Sequence, residues 1–327
     1  MPKIAIVFTG GTISMKIDTD LGAAVPALQG QDIISGVTGV DQIAEVVVHN
    51  FGMYPGPHMT PEIMLKLYKI IYSYTQQEDI TGVIVTHGTD SLEETAWFID
   101  SVYGGHKPVV FVGAMKTSSE MGFDGPANLY NAMRVAVELR SQGKGVLLVM
   151  ASEIHAARDV TKTHTHRLDT FKSPGLGPVG LVDQDKIVYY RSMKRLPVVK
   201  PQAITAKVAL IKAAVGMTGD LIRYCQKNNY HGLVLEAMGR GNLPPKMAEA
   251  AVEALAQGMI VILCSRCPEG RVLDCYGYEG AARHLREAGA ILAGNLNGQK
   301  SRIRAILALS ASLDRDAIET LFRADEL

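Results

Sequence analysis

A chain of 327 residues, 47% hydrophobic and 20% charged, is long enough for two domains with large buried cores. Lys plus Arg and Asp plus Glu both number 33, so the formal net charge is zero. The basic excess of a nucleic-acid or acidic-membrane binder is missing, and neither partner is expected.

The first residues, MPKIAIVF, enter a strand directly instead of a leader, and no apolar run reaches the length of a membrane span. A soluble, cytoplasmic protein is therefore expected. Four cysteines (Cys225, Cys264, Cys267, Cys275) are too few for a disulfide framework at this size. Cys264 and Cys267 form a C-x-x-C, but Cys264 closes the apolar run GMIVILC, so core and strand-end thiols are expected there.

In chain order, KIAIVF (3–8), IAEVVVHNF (43–51), ITGVIVT (80–86), KPVVFVG (107–113) and GVLLVMA (145–151) read as buried strands. Between them, residues 60–76, 91–103 and 125–142 have helical spacing. Thr60 is placed to cap the first of these helices, with Pro61 at its first position. Asp90 or Ser91 is expected to cap the second, whose first turn carries Glu93 and Glu94. This alternation predicts a parallel sheet with helices on both faces.

The rhythm breaks near residue 159, and GPVGLVDQDKIVYYR (177–191) reads as a hairpin before a loop with prolines at 197 and 201. Alternation then resumes with strands at 206–215, 231–239 and 258–265 and helices at 220–228, 245–257 and 278–289. The expected organisation is a catalytic α/β domain over 1–190, a linker over 191–206 and a smaller α/β domain over 207–327.

Ligands of open parallel sheets bind outside the carboxyl ends of the strands. Those ends carry Thr9, Thr12, Thr86, Thr89, Asp90, Lys116 and Lys162. Gly10, Gly11 and Gly88 would let backbone N–H groups approach a ligand.

A phosphate cradle is disfavoured, because TGGTIS has neither the G-x-G-x-x-G nor the P-loop spacing. His155, His164 and His166 lack a carboxylate at ligand spacing, so no metal is expected. No G-x-S-x-G elbow supports a Ser-His-Asp hydrolase. What remains is hydroxyl–carboxylate–amine chemistry. A threonine is a poor nucleophile until a base takes its proton, a buried lysine can supply that base, and an adjacent aspartate can orient it.

TGGTIS (9–14), THGTDSLEETA (86–96), GAMKTSSEMGFDGPANLYNA (113–132) and EIHAARDVTKTHTHRLDTFKSP (153–174) strongly resemble the bacterial-type L-asparaginase/glutaminase family. LEAMGRGNLPP (235–245) and CSRCPEGRV (264–272) extend the resemblance over essentially the whole chain. It implies a flavodoxin-like N-terminal domain, a smaller α/β C-terminal domain, and a homodimer or homotetramer with each site closed by a neighbouring subunit. It also implies hydrolysis of a small amide such as L-asparagine, without metal or organic cofactor. Position by position, Thr12 matches the primary nucleophile, and Thr89, Lys162 and Asp90 match the second hydroxyl, the base and its orienting carboxylate. Substrate contacts are implied at Gly11, Gly88 and Ala114. Asn242 and Glu279 are candidates for the residue that reaches the substrate amine across subunits.

Two departures bear on substrate. Family members carry a tyrosine in the mobile loop after the first motif, where this chain has Ile17 and no tyrosine before Tyr54. Lys16, Asp18 and Asp20 are then expected to be solvated loop charges, and Tyr54 is a candidate replacement. Where the family has a serine and a polar residue that bind the α-carboxylate, this chain has Gly56 and Pro57. The hydroxyl and one N–H donor are lost, which leaves His58 to compensate or a substrate without that carboxylate. The alternatives are thus a family amidase adapted to another small amide or a cyclic imide, and a non-catalytic small-molecule sensor.

Overall fold

The computed structural model is described over residues 1–324, and the chain divides into two compact units, Met1–Arg195 and Leu196–Leu327. Positions 325–327 of the expected C-terminal domain lie outside the described residues. No helix among the described residues is long and apolar enough to cross a membrane.

The first unit contains strands β1 (Lys3–Phe8), β2 (Met15–Asp18), β3 (Ala23–Pro26), β4 (Glu45–Asn50), β5 (Ile80–Thr86), β6 (Val109–Val112), β7 (Val146–Met150), β8 (Glu153–Ala156), β9 (Thr161–Lys162), β10 (Phe171–Lys172), β11 (Gly180–Val182) and β12 (Ile187–Tyr189). Its helices are α1 (Gly30–Ser35), α2 (Val40–Ile43), α3 (Pro61–Thr75), α4 (Leu92–Val102) and α5 (Gly125–Val137). The main sheet runs β12-β11-β8-β7-β6-β5-β1-β4. From β4 to β7 it is parallel, and β8, β11 and β12 extend it antiparallel.

Counted along the chain, the five parallel strands lie in the order 2-1-3-4-5, the flavodoxin-like arrangement. The order reverses at β1, between β4 and β5, so the ligand crevice of such a sheet falls beyond Phe8 and Thr86, which are register partners. The sheet is held by full burial: Val83, Ile84 and Val85 of β5 and Trp97 and Phe98 of α4 are inaccessible to solvent. Each such side chain contributes about 1.5–3 kcal/mol relative to exposure.

Three expectations need correction. The strand β4 is an edge strand with half-exposed valines, not a buried one. Residues after the first motif form a β2–β3 hairpin, Met15 opposite Pro26. Within it, the Asp18 carboxylate accepts from the Asp20 and Leu21 amides at 2.9 Å and closes the turn, so Asp18 is more than a solvated charge. Ser91 stands at the N-cap of α4, but no side chain caps that helix. Thr60 does cap α3, accepting from Ile63 N–H at 3.4 Å, with Pro61 following it.

The second unit has a parallel sheet in the order β13 (Val208–Lys212), β14 (Gly232–Ala237), β15 (Ile260–Ser265), β16 (Ile291–Leu292). Around it run α6 (Asp220–Lys227), α7 (Pro245–Ala256), α8 (Ala282–Glu287), α9 (Gly298–Ser310) and α10 (Arg315–Ala324). Cys264 is buried in β15 with its thiol pushed above its usual range by burial, while Cys267 is exposed.

Candidate active site

The ends of β1 and β5 meet through glycine backbone. Gly10 and Gly11 have φ of 103° and 83°, a region that L side chains rarely adopt. A Cβ on Gly11 would lie 2.3 Å from Gly88 Cα, and one on Gly88 would lie 2.9 Å from Gly56 N. Three segments thus touch without side chains between them. Thr12 and Thr89 follow directly on the two touching glycines.

Around this contact the chain leaves donors uncommitted. The amide N–H groups of Gly11, Thr12, Gly88 and Thr89, and the Thr12 hydroxyl, have no acceptor among the described residues. Thr12 opens a 3-10 turn, Thr12–Ser14, whose Ser14 hydroxyl donates to Gly11 C=O at 2.8 Å.

Lys162 reaches the same place from β9. Its Nζ donates to Thr89 Oγ1 at 3.0 Å and to Asp90 Oδ1 at 2.7 Å. The Lys162 side chain is 17% exposed and that of Asp90 63% exposed. The lysine is mostly enclosed, as expected from sequence, but its carboxylate partner faces solvent. A cavity of about 510 Å³ is lined by Asp90, Glu93, Lys162, Thr163, His164 and Thr165.

Ala114 is fully buried just beyond β6, where a Cβ on Gly113 would meet His87 O at 2.9 Å and the Thr89 methyl at 3.2 Å. Sequence reasoning missed what holds this segment. The Asp124 carboxylate accepts from Met115 N–H and Lys116 N–H at 3.0 Å, and Asn128 Nδ2 donates to Gly113 C=O at 3.2 Å. Both residues lie in GFDGPAN, where a carboxylate and an amide just before and within a helix were the available signal.

Not every candidate converges. Lys116 Nζ donates to Met121 C=O at 2.7 Å within its own loop, and Thr9 Oγ1 donates to Thr86 C=O at 2.8 Å, so both serve the scaffold. Tyr54 packs its ring on Phe51 at 5.9 Å and donates its amide N–H to Thr9 C=O at 2.7 Å. Gly56, Pro57 and His58 form a 3-10 turn in which Gly56 is buried and the other two are exposed. A Cβ on Gly56 would meet Asp90 Cβ at 3.2 Å, and Ser91 Oγ donates to Gly56 C=O at 2.6 Å. Glycine here therefore serves close packing against the Asp90 turn as well as removing a hydroxyl.

Of the three histidines weighed as metal ligands, the rings of His155 and His164 have other partners. His155 contacts Ser173 Oγ and Glu153, and His164 Nδ1 accepts from the amides of His166 and Arg167. Among the described residues no group of three or more His, Cys, Asp or Glu could hold a metal ion.

In the second unit, Leu243 N–H donates to Gly280 C=O at 2.8 Å, which brings the loop of Asn242 beside that of Glu279. Glu279 lines a cavity of about 470 Å³ with Tyr278, Arg283 and His284.

Comparison with known proteins finds matches along both units. Residues 3–195 match the asparaginase N-terminal family model, and residues 207–322 match the glutaminase/asparaginase C-terminal domain model. A probable L-asparaginase of Deinococcus radiodurans is 34% identical over 98% of this chain and 97% of its own length. L-asparaginase 2 of Escherichia coli is 33% identical over 98% of this chain and 93% of its own. The crystal structure of a probable cytoplasmic L-asparaginase from Campylobacter jejuni superimposes with a TM-score of 0.88 at 31% identity, covering 99% of this chain and all of that one. With both family models matched in order and such identity sustained end to end, the chain belongs to the asparaginase/glutaminase family.

Proposed function

We propose that the protein is an asparaginase-type amidohydrolase that releases ammonia from a small amide, L-asparagine or a close analogue, through Thr12. The observation that carries this is the Lys162 amine held between Thr89 Oγ1 and Asp90 Oδ1, at 3.0 and 2.7 Å, while the Thr12 hydroxyl, next in the chain after the Gly11 that touches Gly88, has no partner among the described residues.

In the first half-reaction Thr12 Oγ1 bonds to the amide carbon and gives up its proton to a base. The C–N bond then breaks, the nitrogen takes a proton and ammonia leaves. Negative charge on the carbonyl oxygen is met by the uncommitted amides of Thr12 and Thr89, donors of the kind worth about 100- to 1,000-fold each in rate. In the second half-reaction water attacks the ester carbon and passes its proton through the Thr89 hydroxyl to Lys162, which Asp90 holds in place; the C–O bond to Thr12 then breaks, Thr12 Oγ1 takes a proton back and the carboxylic acid leaves. None of these steps calls for a metal or organic cofactor.

A second reading has its own support. Gly56 packs too closely to Asp90 for an unstrained side chain, and Pro57 has no N–H, so two donors for an α-carboxylate are missing. This favours a family amidase that prefers an amide or cyclic imide without that carboxylate, unless exposed His58 binds it. Asn242 and Glu279, on adjoining loops, are the candidates for contact with a neighbouring copy's substrate in a homodimer or homotetramer. Ammonia release from L-asparagine, L-glutamine, their D-isomers, succinimide-type rings and simple amides separates these readings. No release from any of them would contradict both.

A further inference from the structure

His87 belongs to no catalytic role named above, yet it sits at the centre of the glycine contact. It follows the last residue of β5, its backbone N–H continues the ladder to Val112 C=O at 2.9 Å, and its side chain is wholly inaccessible to solvent. The ring packs on Phe111 with centroids 6.1 Å apart. Its Nδ1 lies 2.9 Å from Gly88 C=O. A carbonyl oxygen only accepts, so Nδ1 carries the proton. Nε2 is then a bare lone pair, and it has no hydrogen-bond partner among the described residues. Burial lowers the pKa of the ring to about 4, so the imidazole is neutral at ordinary pH.

A buried orphan nitrogen is destabilising, and an apolar side chain of similar volume would avoid that cost. The bond made by the other nitrogen explains why histidine is here. A trans peptide is planar, with C=O and N–H pointing in opposite directions, and there are no cis bonds among the described residues. Turning the Gly88 carbonyl toward His87 therefore turns the Thr89 N–H away from the core. That is one of the uncommitted amides beside Thr12.

We propose that His87 is a positioning residue: its Nδ1–H fixes the Gly88–Thr89 peptide so that the Thr89 N–H points at the oxygen that becomes negative during amide hydrolysis. This rests on the amidohydrolase reading above. The imidazole touches no substrate and acts through one peptide plane. Because charge grows on that oxygen only toward the transition state, a misaimed N–H lowers kcat and leaves KM nearly unchanged.

The test compares His87→Leu, which deletes the donor, with His87→Asn, whose side-chain amide nitrogen occupies the Nδ1 position. Melting temperature, product affinity, kcat and KM are measured for each on the best amide substrate. His87→Leu is expected to lose roughly 100-fold in kcat, the scale of one oxyanion donor, with KM and product affinity within about threefold. His87→Asn is expected to recover most of that rate.

Should His87→Leu not fold, His87→Gln replaces it, since its amide nitrogen lies one carbon too far out to reach Gly88 C=O, and the Asn-over-Gln ratio carries the comparison. Equal kcat in the donor-lacking and Asn variants, or a loss confined to KM, overturns the proposal. An active wild type with an unimpaired His87→Leu variant overturns this proposal alone. A wild type that releases no ammonia overturns the functional reading and the proposal together.

Discussion

Gly11 and Gly88 touch backbone to backbone: a Cβ on Gly11 would lie 2.3 Å from Gly88 Cα and 2.4 Å from Gly88 N. The turn that presents Thr12 and the turn that presents Thr89 are thereby set against one another. Gly11→Ala must move one of them, and its φ of 83° adds about 1–2 kcal/mol of strain for any L residue. We expect a variant with a lower melting temperature and at least a 100-fold loss of kcat/KM, since misplacement of about 1 Å at a reacting centre costs that much. Gly22→Ala, also at positive φ but with nothing within 4 Å of the added Cβ, is the control for strain alone. If both variants lose activity equally, the Gly11–Gly88 contact is not what positions the site.

Lys162→Met keeps the volume and apolar stem but removes the amine that bonds Thr89 and Asp90. Turnover should fall by roughly 100-fold or more in kcat, the scale of general base catalysis, with the fold intact by circular dichroism. A rise in KM at unchanged kcat would make Lys162 a substrate-binding charge.

Stability should depend on pH through His87. Its pKa is about 4 in the fold against the ordinary imidazole value of 6.5 in an unfolded chain, so between these the unfolded chain binds more protons. The contribution is complete above pH 6.5 and is lost as pH falls toward 4, about 3 kcal/mol at most for this fully buried ring. Denaturant unfolding from pH 7 to 4 should show a steeper loss for wild type than for His87→Asn. Parallel curves would mean the ring is not buried in the neutral state.

The five parallel strands were legible in the sequence, because buried parallel strands leave continuous β-branched runs such as ITGVIVT, whereas their order 2-1-3-4-5 and the β1–β5 switch point are set by tertiary pairing that such runs do not encode. Thr12, Thr89, Asp90 and Lys162 were legible as strand-end hydroxyls, carboxylate and amine, and the last three do converge on one another. The β2–β3 hairpin and the two-residue β16 were not, since short strands carry no period. Nor was Ser91's bond to Gly56, because a serine before a helix reads as a cap, and only the tertiary approach of residue 56 diverts its hydroxyl. His87 was hidden for a related reason. Its part depends on which way the next carbonyl points, a torsion that residue types do not encode.

The proposed substrate preference turns on Gly56 and Pro57. Gly56→Ser with Pro57→Gln returns a hydroxyl and an N–H, each worth about 1.5–3 kcal/mol to a bound carboxylate. The new Cβ must displace Asp90 Cβ from 3.2 Å by a few tenths of an ångström, which offsets part of the gain. A tenfold or greater fall in KM for L-asparagine is expected, with less change for an amide that lacks the carboxylate. Wild-type KM for L-asparagine already in the low micromolar range would contradict this, and would assign the clamp to His58 or to backbone.

Amide hydrolysis is proposed to run through the Thr12 hydroxyl, and kcat for ammonia release by Thr12→Ala on the best substrate tests this without intermediaries. The side chain is partly exposed and bonds nothing among the described residues, so its loss should leave the melting temperature within a few degrees. The rate should fall by roughly a thousandfold or more, as for other deleted nucleophiles. A folded Thr12→Ala enzyme that keeps more than about a tenth of the wild-type rate, a difference under about 1.4 kcal/mol, would contradict the account.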